Sequence, residues 1–288
     1  MRRVLRDLLS NGLSFGINRM GASELASELH AFRELQLGPG SELVQNYHCL
    51  TSDLGRLCRL LTSPAKNAVP ISIGAVGNLA TNQEDWESAR ESDAKFLNDF
   101  IDQVESRAEI DSYTVQVLGP SQVPSAISSL SGFESVPVFI QFPSNHYELE
   151  ILGSIAETDW LGVSICLDSP QEMFPFASVI AECLDLEIPF QIVGKANPWW
   201  GTPSSPLGVF SVFGAVALAW AESLTAREIE LILNNSDSTL WTLQEESIEF
   251  QTWQADLNSI EECRDVLCGF SVADLRHVVT GLLHEPTN

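Results

Sequence analysis

Residues 160–195 read WLGVSICLDSPQEMFPFASVIAECLDLEIPFQIVGK, and the reading of this stretch decides the fold. Two apolar runs, WLGVSICLD and IPFQIVGK, flank a segment with helical spacing that starts near Pro170, a residue suited to a first helical turn. Strand, helix and strand in immediate succession make a βαβ unit, which lays its two strands parallel. Both runs are apolar throughout, the pattern of strands covered on two faces.

The same alternation extends back through the chain. ELVQNYHC (42–49) precedes a helix-like SDLGRLCRLL with Ser52 or Asp53 as its cap. VPISIGAVGN (69–78) leads into a long polar helix over 83–107, and DSYTVQVLG (111–119) into a helix over 122–131. VPVFIQFP (136–143) leads into a helix from Tyr147. With the opening stretch these make six strand-then-helix units, so the chain is predicted to be an α/β protein, a TIM-barrel-like (β/α)8 fold, distorted or incomplete. On this count FQIVG is the sixth strand. The tail completes the barrel less regularly: a hairpin decoration over 238–252 turning at Glu245–Glu246, a helix over 256–267, a short VLCGF segment and a helix over 272–284. Residues 1–40 read as an N-terminal helical segment stopped by Gly38-Pro39-Gly40. No repeat or low-complexity linker divides the chain, so 1–288 reads as a single domain.

Of the 288 residues, 39 are acidic and 15 basic, a formal net charge of −24. That field argues against nucleic-acid and anionic-membrane partners, and an anionic small molecule would need a local site that opposes it. Hydrophobic residues at 44% supply a sizeable core. LGVFSVFGAVALAWAESL (207–224) is rich in small residues and reads as a buried helix, not a membrane span. The basic start is interrupted by Asp7 and Asn11, unlike a secretory signal. The six cysteines form no CxxC pair and no zinc-spaced cluster, which suits reduced thiols in a cytoplasmic protein. No metal or cofactor motif is present, so the sequence names no cofactor. A homo-oligomer is compatible with everything above.

Barrels place chemistry at the carboxyl ends of their strands. Those ends here carry Asn46 and His48, Asn78, Gln116, Gln141 with Asn145 and His146, Asp168, and Lys195 with Asn197. Lys195 is one of three lysines in the chain. A Lys/Asp pair on neighbouring strand ends suits a Schiff-base lysine with a carboxylate proton shuttle, and the alternative is a solvated ion pair. His48 is a candidate acid/base. Asn78, Gln141, His146, Asn197, Trp199 and Ser205 are candidate ligand contacts, with Ser204 or Ser205 capping the next helix and Pro206 at its first position. The expected function is a lyase or aldolase acting on a small anionic substrate. The alternative is a non-catalytic barrel used for binding or assembly.

MGASELASELHAFRELQLGPGSELVQNYHCLTSDLGRL (20–57), IPFQIVGKANPWW followed by LGVFSVFGAVALAWA, and CGFSVADLRHVVTGLL (268–283) together resemble an uncharacterised family of bacterial barrel-like proteins. The resemblance is loose, covers nearly the whole chain and implies a (β/α) barrel. That family's fifth strand ends in Lys-x-Arg-Thr-Gly-Gly, where this chain has VSICLDSP. Its sixth carries a Phe-Lys start and a Thr-Ala-Gly-Leu-His-His run, where this chain has FQIVGKANPWW. If those basic and histidine residues make the family's site, this chain has lost most of it.

Overall fold

The computed structural model describes residues 3–9, 12–15, 22–62, 69–133, 135–142, 149–167, 173–194, 208–272 and 275–283. The first half runs α1 (Arg3–Leu9), β1 (Leu13–Phe15), α2 (Ala22–Leu37), β2 (Val44–Leu50), α3 (Leu54–Leu61), β3 (Ile71–Val76), α4 (Gln83–Val104), β4 (Ala108–Gln116) and α5 (Val123–Leu130). Next come β5 (Val138–Gln141), α6 (Leu149–Ala156), β6 (Leu161–Leu167), α7 (Met173–Asp185), β7 (Phe190–Gly194), α8 (Val209–Glu222) and α9 (Ala226–Leu233). The chain ends with β8 (Trp241–Leu243), β9 (Ser247–Phe250), β10 (Trp253–Asp256), α10 (Leu257–Val266), β11 (Leu267–Val272) and α11 (Leu275–Leu283).

Eight strands close into a parallel barrel in the order β1-β11-β7-β6-β5-β4-β3-β2. The TIM-barrel-like reading is therefore correct, with β11 as the eighth strand. The expectation of an all-helical segment over 1–40 is corrected by β1, which pairs Leu13 with both Val44 and Phe270. Three residues are too few to show a period, so LSF has no strand signal of its own and is fixed by its two neighbours. It follows that FQIVG is the seventh strand, not the sixth.

The strands are also less uniformly apolar than the sequence suggests. Their outward residues pack on the helices. Tyr47 turns to α2, its ring 5.5 Å from that of Phe32 and its hydroxyl donating to Glu28 at 3.2 Å. Phe270 faces Phe213 of α8, with centroids 6.2 Å apart. The inward residues of the same strands are largely polar yet still buried, so Ser112-Tyr113-Thr114-Val115 alternates in the manner of a one-sided strand.

Every residue of α8 from Val209 to Ala219 is buried, because the barrel covers one side and a small antiparallel sheet, β8–β9–β10, covers another. The close approach is made at Gly214, where a Cβ would lie 2.6 Å from Trp241 Cη2. Trp241 in turn meets Phe210 and Phe250 edge-on, each at 4.8 Å between centroids. Residues 244–246 turn between β8 and β9, and β10 adds a third strand beyond the expected hairpin. The expected start of α8 is also corrected: Gly208 is its N-cap, without a side-chain hydrogen bond. No described helix is long and apolar enough to cross a membrane.

Candidate functional site

The strand registers define one level of the barrel interior. His48 pairs with Gly74, and Gly74 with Ser112; two residues further along β4 is Thr114. Thr114 pairs with Phe139, and Phe139 with Gly162; two residues on is Ser164. Ser164 pairs with Gln191, and Gln191 with Gly269; two residues on is Ser271. A closed, sheared barrel draws each level from alternate strands. His48, Thr114, Ser164 and Ser271 thus form a ring contributed by β2, β4, β6 and β11. Barrels usually fill such a level with bulky branched apolar residues. Here all four are polar, and they are 6%, 4%, 0% and 4% exposed.

His48 fits because β3 has no side chain beside it: a Cβ on Gly74 would lie 2.7 Å from His48 Nε2. Burial holds the imidazole pKa down at about 4, so the ring is neutral at neutral pH, with one nitrogen donating and the other accepting. Thr114 Oγ1 accepts from Gln191 Nε2 at 2.7 Å, a bond that crosses the lumen from β7 to β4. The buried hydroxyls of Ser164 and Ser271 have no hydrogen-bond partner. Below the ring Asn46 Nδ2 donates to Asp111 Oδ2 at 2.9 Å, passing over Gly74. Above it, half-buried Gln116 and Gln141 continue the inner face, paired in register at the ends of β4 and β5. Among the described residues, no inward side chain at or above the ring carries a full charge at neutral pH.

The structure therefore brings His48 and Gln141 onto one inner face and takes Asn78 elsewhere. Asn78 belongs to a cluster outside the barrel wall, between the end of β3 and α4. Its Nδ2 donates to Asp93 Oδ1 at 2.7 Å and to Thr51 Oγ1 at 3.1 Å, and its backbone N–H donates to Asp93 Oδ2 at 3.2 Å. Asp93, fully buried, also accepts from Thr51 Oγ1, from Tyr113 OH at 2.8 Å and from Arg90 Nη2 at 2.9 Å. Arg90 Nη2 further donates to the Asn78 carbonyl, and its guanidinium lies 5.2 Å from the Trp86 ring centre. Burial, opposed by Arg90 and reinforced by Asp93, pushes the Tyr113 phenol well above its ordinary pKa, so it remains a donor. Lys195, Asp168, His146, Asn197, Trp199 and Ser205 lie outside the described residues.

Thr114, Ser164 and Gln191 lie inside their strands and are missed by a reading confined to strand ends, while Ser271 is next to last in β11, a strand that the sequence shows only as a short VLCGF segment. Their signal is a polar residue set inside an apolar run, Ser164 in GVSIC, Gln191 in FQIVG and Ser271 in GFSV, with true alternation only in SYTVQ. Among the described residues, no group of three or more His, Cys, Asp or Glu side chains is placed to hold a metal ion. None of the six cysteines forms a disulfide.

No family model matches the chain, and no curated protein matches it in sequence. Among solved structures it is similar to Leishmania donovani UMP synthase, with a TM-score of 0.42 and 12% identity over 80% of this chain. The match spans 54% of that protein's length, about half of it.

Proposed function

We propose that this barrel binds a small polar molecule at its carboxyl-terminal end, with the His48–Thr114–Ser164–Ser271 ring as the floor of the site. The supporting observation is the ring itself. A buried hydroxyl without a partner costs about 1–3 kcal/mol, and a barrel level built from branched apolar residues would avoid that cost. Donors and acceptors facing the lumen are what a bound hydroxyl, carbonyl or carboxylate group requires. Neutral His48 is the one described group at this level able to accept and return a proton, which gives it the acid/base role in an enzyme of this design.

The finer reading is a lyase or aldolase acting on a small anionic substrate. Lys195 would be its electrophile or anion anchor and Asp168 its proton shuttle. It rests on the positions of these two residues after β7 and β6 in the sequence. Asn197, Trp199, His146 and Ser205 would complete the ligand contacts. The other reading, a non-catalytic binding barrel, is favoured by the absence of charge among the described residues at and above the ring.

Two measurements separate these readings. A thermal-shift screen of small polar metabolites is expected to find a ligand whose stabilisation falls at least tenfold in apparent affinity in His48→Gln or in Ser164→Ala/Ser271→Ala. Equal responses in wild type and both variants would remove the ring from the site. Borohydride reduction in the presence of pyruvate should add the reduced adduct to Lys195 if the lysine is a Schiff-base electrophile. An unmodified Lys195 under conditions where a known aldolase is trapped would leave the binding barrel as the surviving reading.

A further inference from the structure

The opposite, amino-terminal end of the barrel holds a cavity of about 320 Å³ that enters between β5, β6, β7 and β11. Its walls are apolar: Pro137, Phe139, Trp160 and Pro189, with Gly162 at its inner end. Gly162 is required there, since a Cβ would lie 2.8 Å from the Phe139 ring, which fills that space. Asp159 and Asp265, both exposed, line the same cavity. No lysine or arginine lines it. The nearby Arg264 does not line it; its guanidinium is packed 5.6 Å from the centre of the Phe213 ring, and its charge reaches the Cys268 side of the wall. Burial raises the Cys268 thiol to about 11, so the two remaining polar groups of the cavity, Cys268 and the Ser135 hydroxyl, are neutral.

An aromatic and proline-walled recess with two carboxylates and no described cation in its lining suits one class of ligand. Its apolar body would displace water from Phe139 and Trp160, and its positive charge would meet Asp159 and Asp265 and the face of Trp160. The net charge of −24 adds a long-range attraction for the same sign. We propose that the amino-terminal face carries a second site, for an organic cation with an aromatic or branched apolar body, separate from the carboxyl-terminal site proposed above. An anion is disfavoured here by the same two aspartates, and a neutral apolar molecule lacks the electrostatic part of the interaction.

Isothermal titration of the full chain with benzyltrimethylammonium tests this, with benzyl alcohol and phenylacetate as neutral and anionic counterparts. The cation is expected to bind at least tenfold more tightly than benzyl alcohol, more weakly as salt rises, and phenylacetate not at all. Asp159→Asn/Asp265→Asn should weaken the cation at least tenfold. Both side chains are exposed, so the variant keeps its fold, which circular dichroism verifies. Trp160→Leu should weaken the cation as well. His48→Gln, at the carboxyl-terminal site, should leave it unchanged. The proposal is overturned if the cation binds no better than benzyl alcohol, if the double aspartate variant binds it as wild type does, or if His48→Gln removes the binding.

Discussion

Two buried polar clusters lie within one barrel and differ in how their hydrogen bonds are met. Around Asp93 every carboxylate lone pair has a donor: Thr51, Asn78 through backbone and side chain, Tyr113 and Arg90. In the lumen, the Ser164 and Ser271 hydroxyls have none. Both clusters sit in a low dielectric, where a made bond is strengthened and an unmade one is costly. The first cluster meets its carboxylate in full, although Arg90 Nε and Nη1 are left without partners, and it acts as scaffold, tying the end of β3 to α4. Under the binding proposal, the hydroxyls left facing the lumen are the groups that a bound molecule would meet. The contrast places Asn78 in the scaffold and sets the ring apart as the proposed site, although Asn78 and His48 both follow apolar strand runs in the sequence.

The largest effect expected from breaking this contrast is in the scaffold. Asp93→Ala leaves the Arg90 guanidinium buried against Trp86 with no counter-charge, at a cost of about 3–5 kcal/mol. Urea denaturation monitored by circular dichroism measures it directly. A loss below about 1 kcal/mol would show that the cluster does not hold α4 to the barrel.

The next effect is a pH dependence in the ring. The folded pKa of His48, about 4, lies below the ordinary value of 6.5. Between those values the unfolded chain binds a proton that the folded chain refuses, so stability is complete above about pH 6.5 and falls as pH drops toward 4. At about 1.4 kcal/mol per unit, the whole window is worth about 3 kcal/mol. Many carboxylates titrate over the lower part of this range, so the useful measurement is the difference between wild type and His48→Gln. The variant should lose less stability than wild type on acidification. Parallel curves would mean that His48 is hydrated and charged well above pH 4.

How far the sequence revealed this depends on which residues must act together. Each of the six long strand runs stands alone as a signal, and so does the small-residue helix α8, so the barrel was legible. β1 was not, because LSF is a strand only by virtue of Val44 and Phe270 on its flanks. His48 was reached as a strand-end residue, but its companions belong to three distant strands and meet only through the shear of the closed barrel. One polar residue per strand is also easily discounted inside an apolar run, as Ser164 is in GVSIC. The Asp93 cluster was half visible: Asn78 stood out, while Asp93 and Arg90 were lost among the charges of a helix that reads as polar overall.

The smallest effect is the most discriminating, because it comes from within the ring. Thr114→Val removes an acceptor that is in use and strands the Gln191 amide, at a cost of about 1–3 kcal/mol. Ser164→Ala and Ser271→Ala remove hydroxyls that have no partner, so each should change stability by less than about 0.5 kcal/mol or raise it. The three substitutions are similar in size and depth, and only the state of the hydrogen bond separates them. If the serine variants prove as costly as Thr114→Val, the serines are bonded to resident water and the ring is a hydrated scaffold like the Asp93 cluster. If they are neutral in the empty protein and still weaken a ligand found by screening, the two hydroxyls are kept for that ligand and not for the fold.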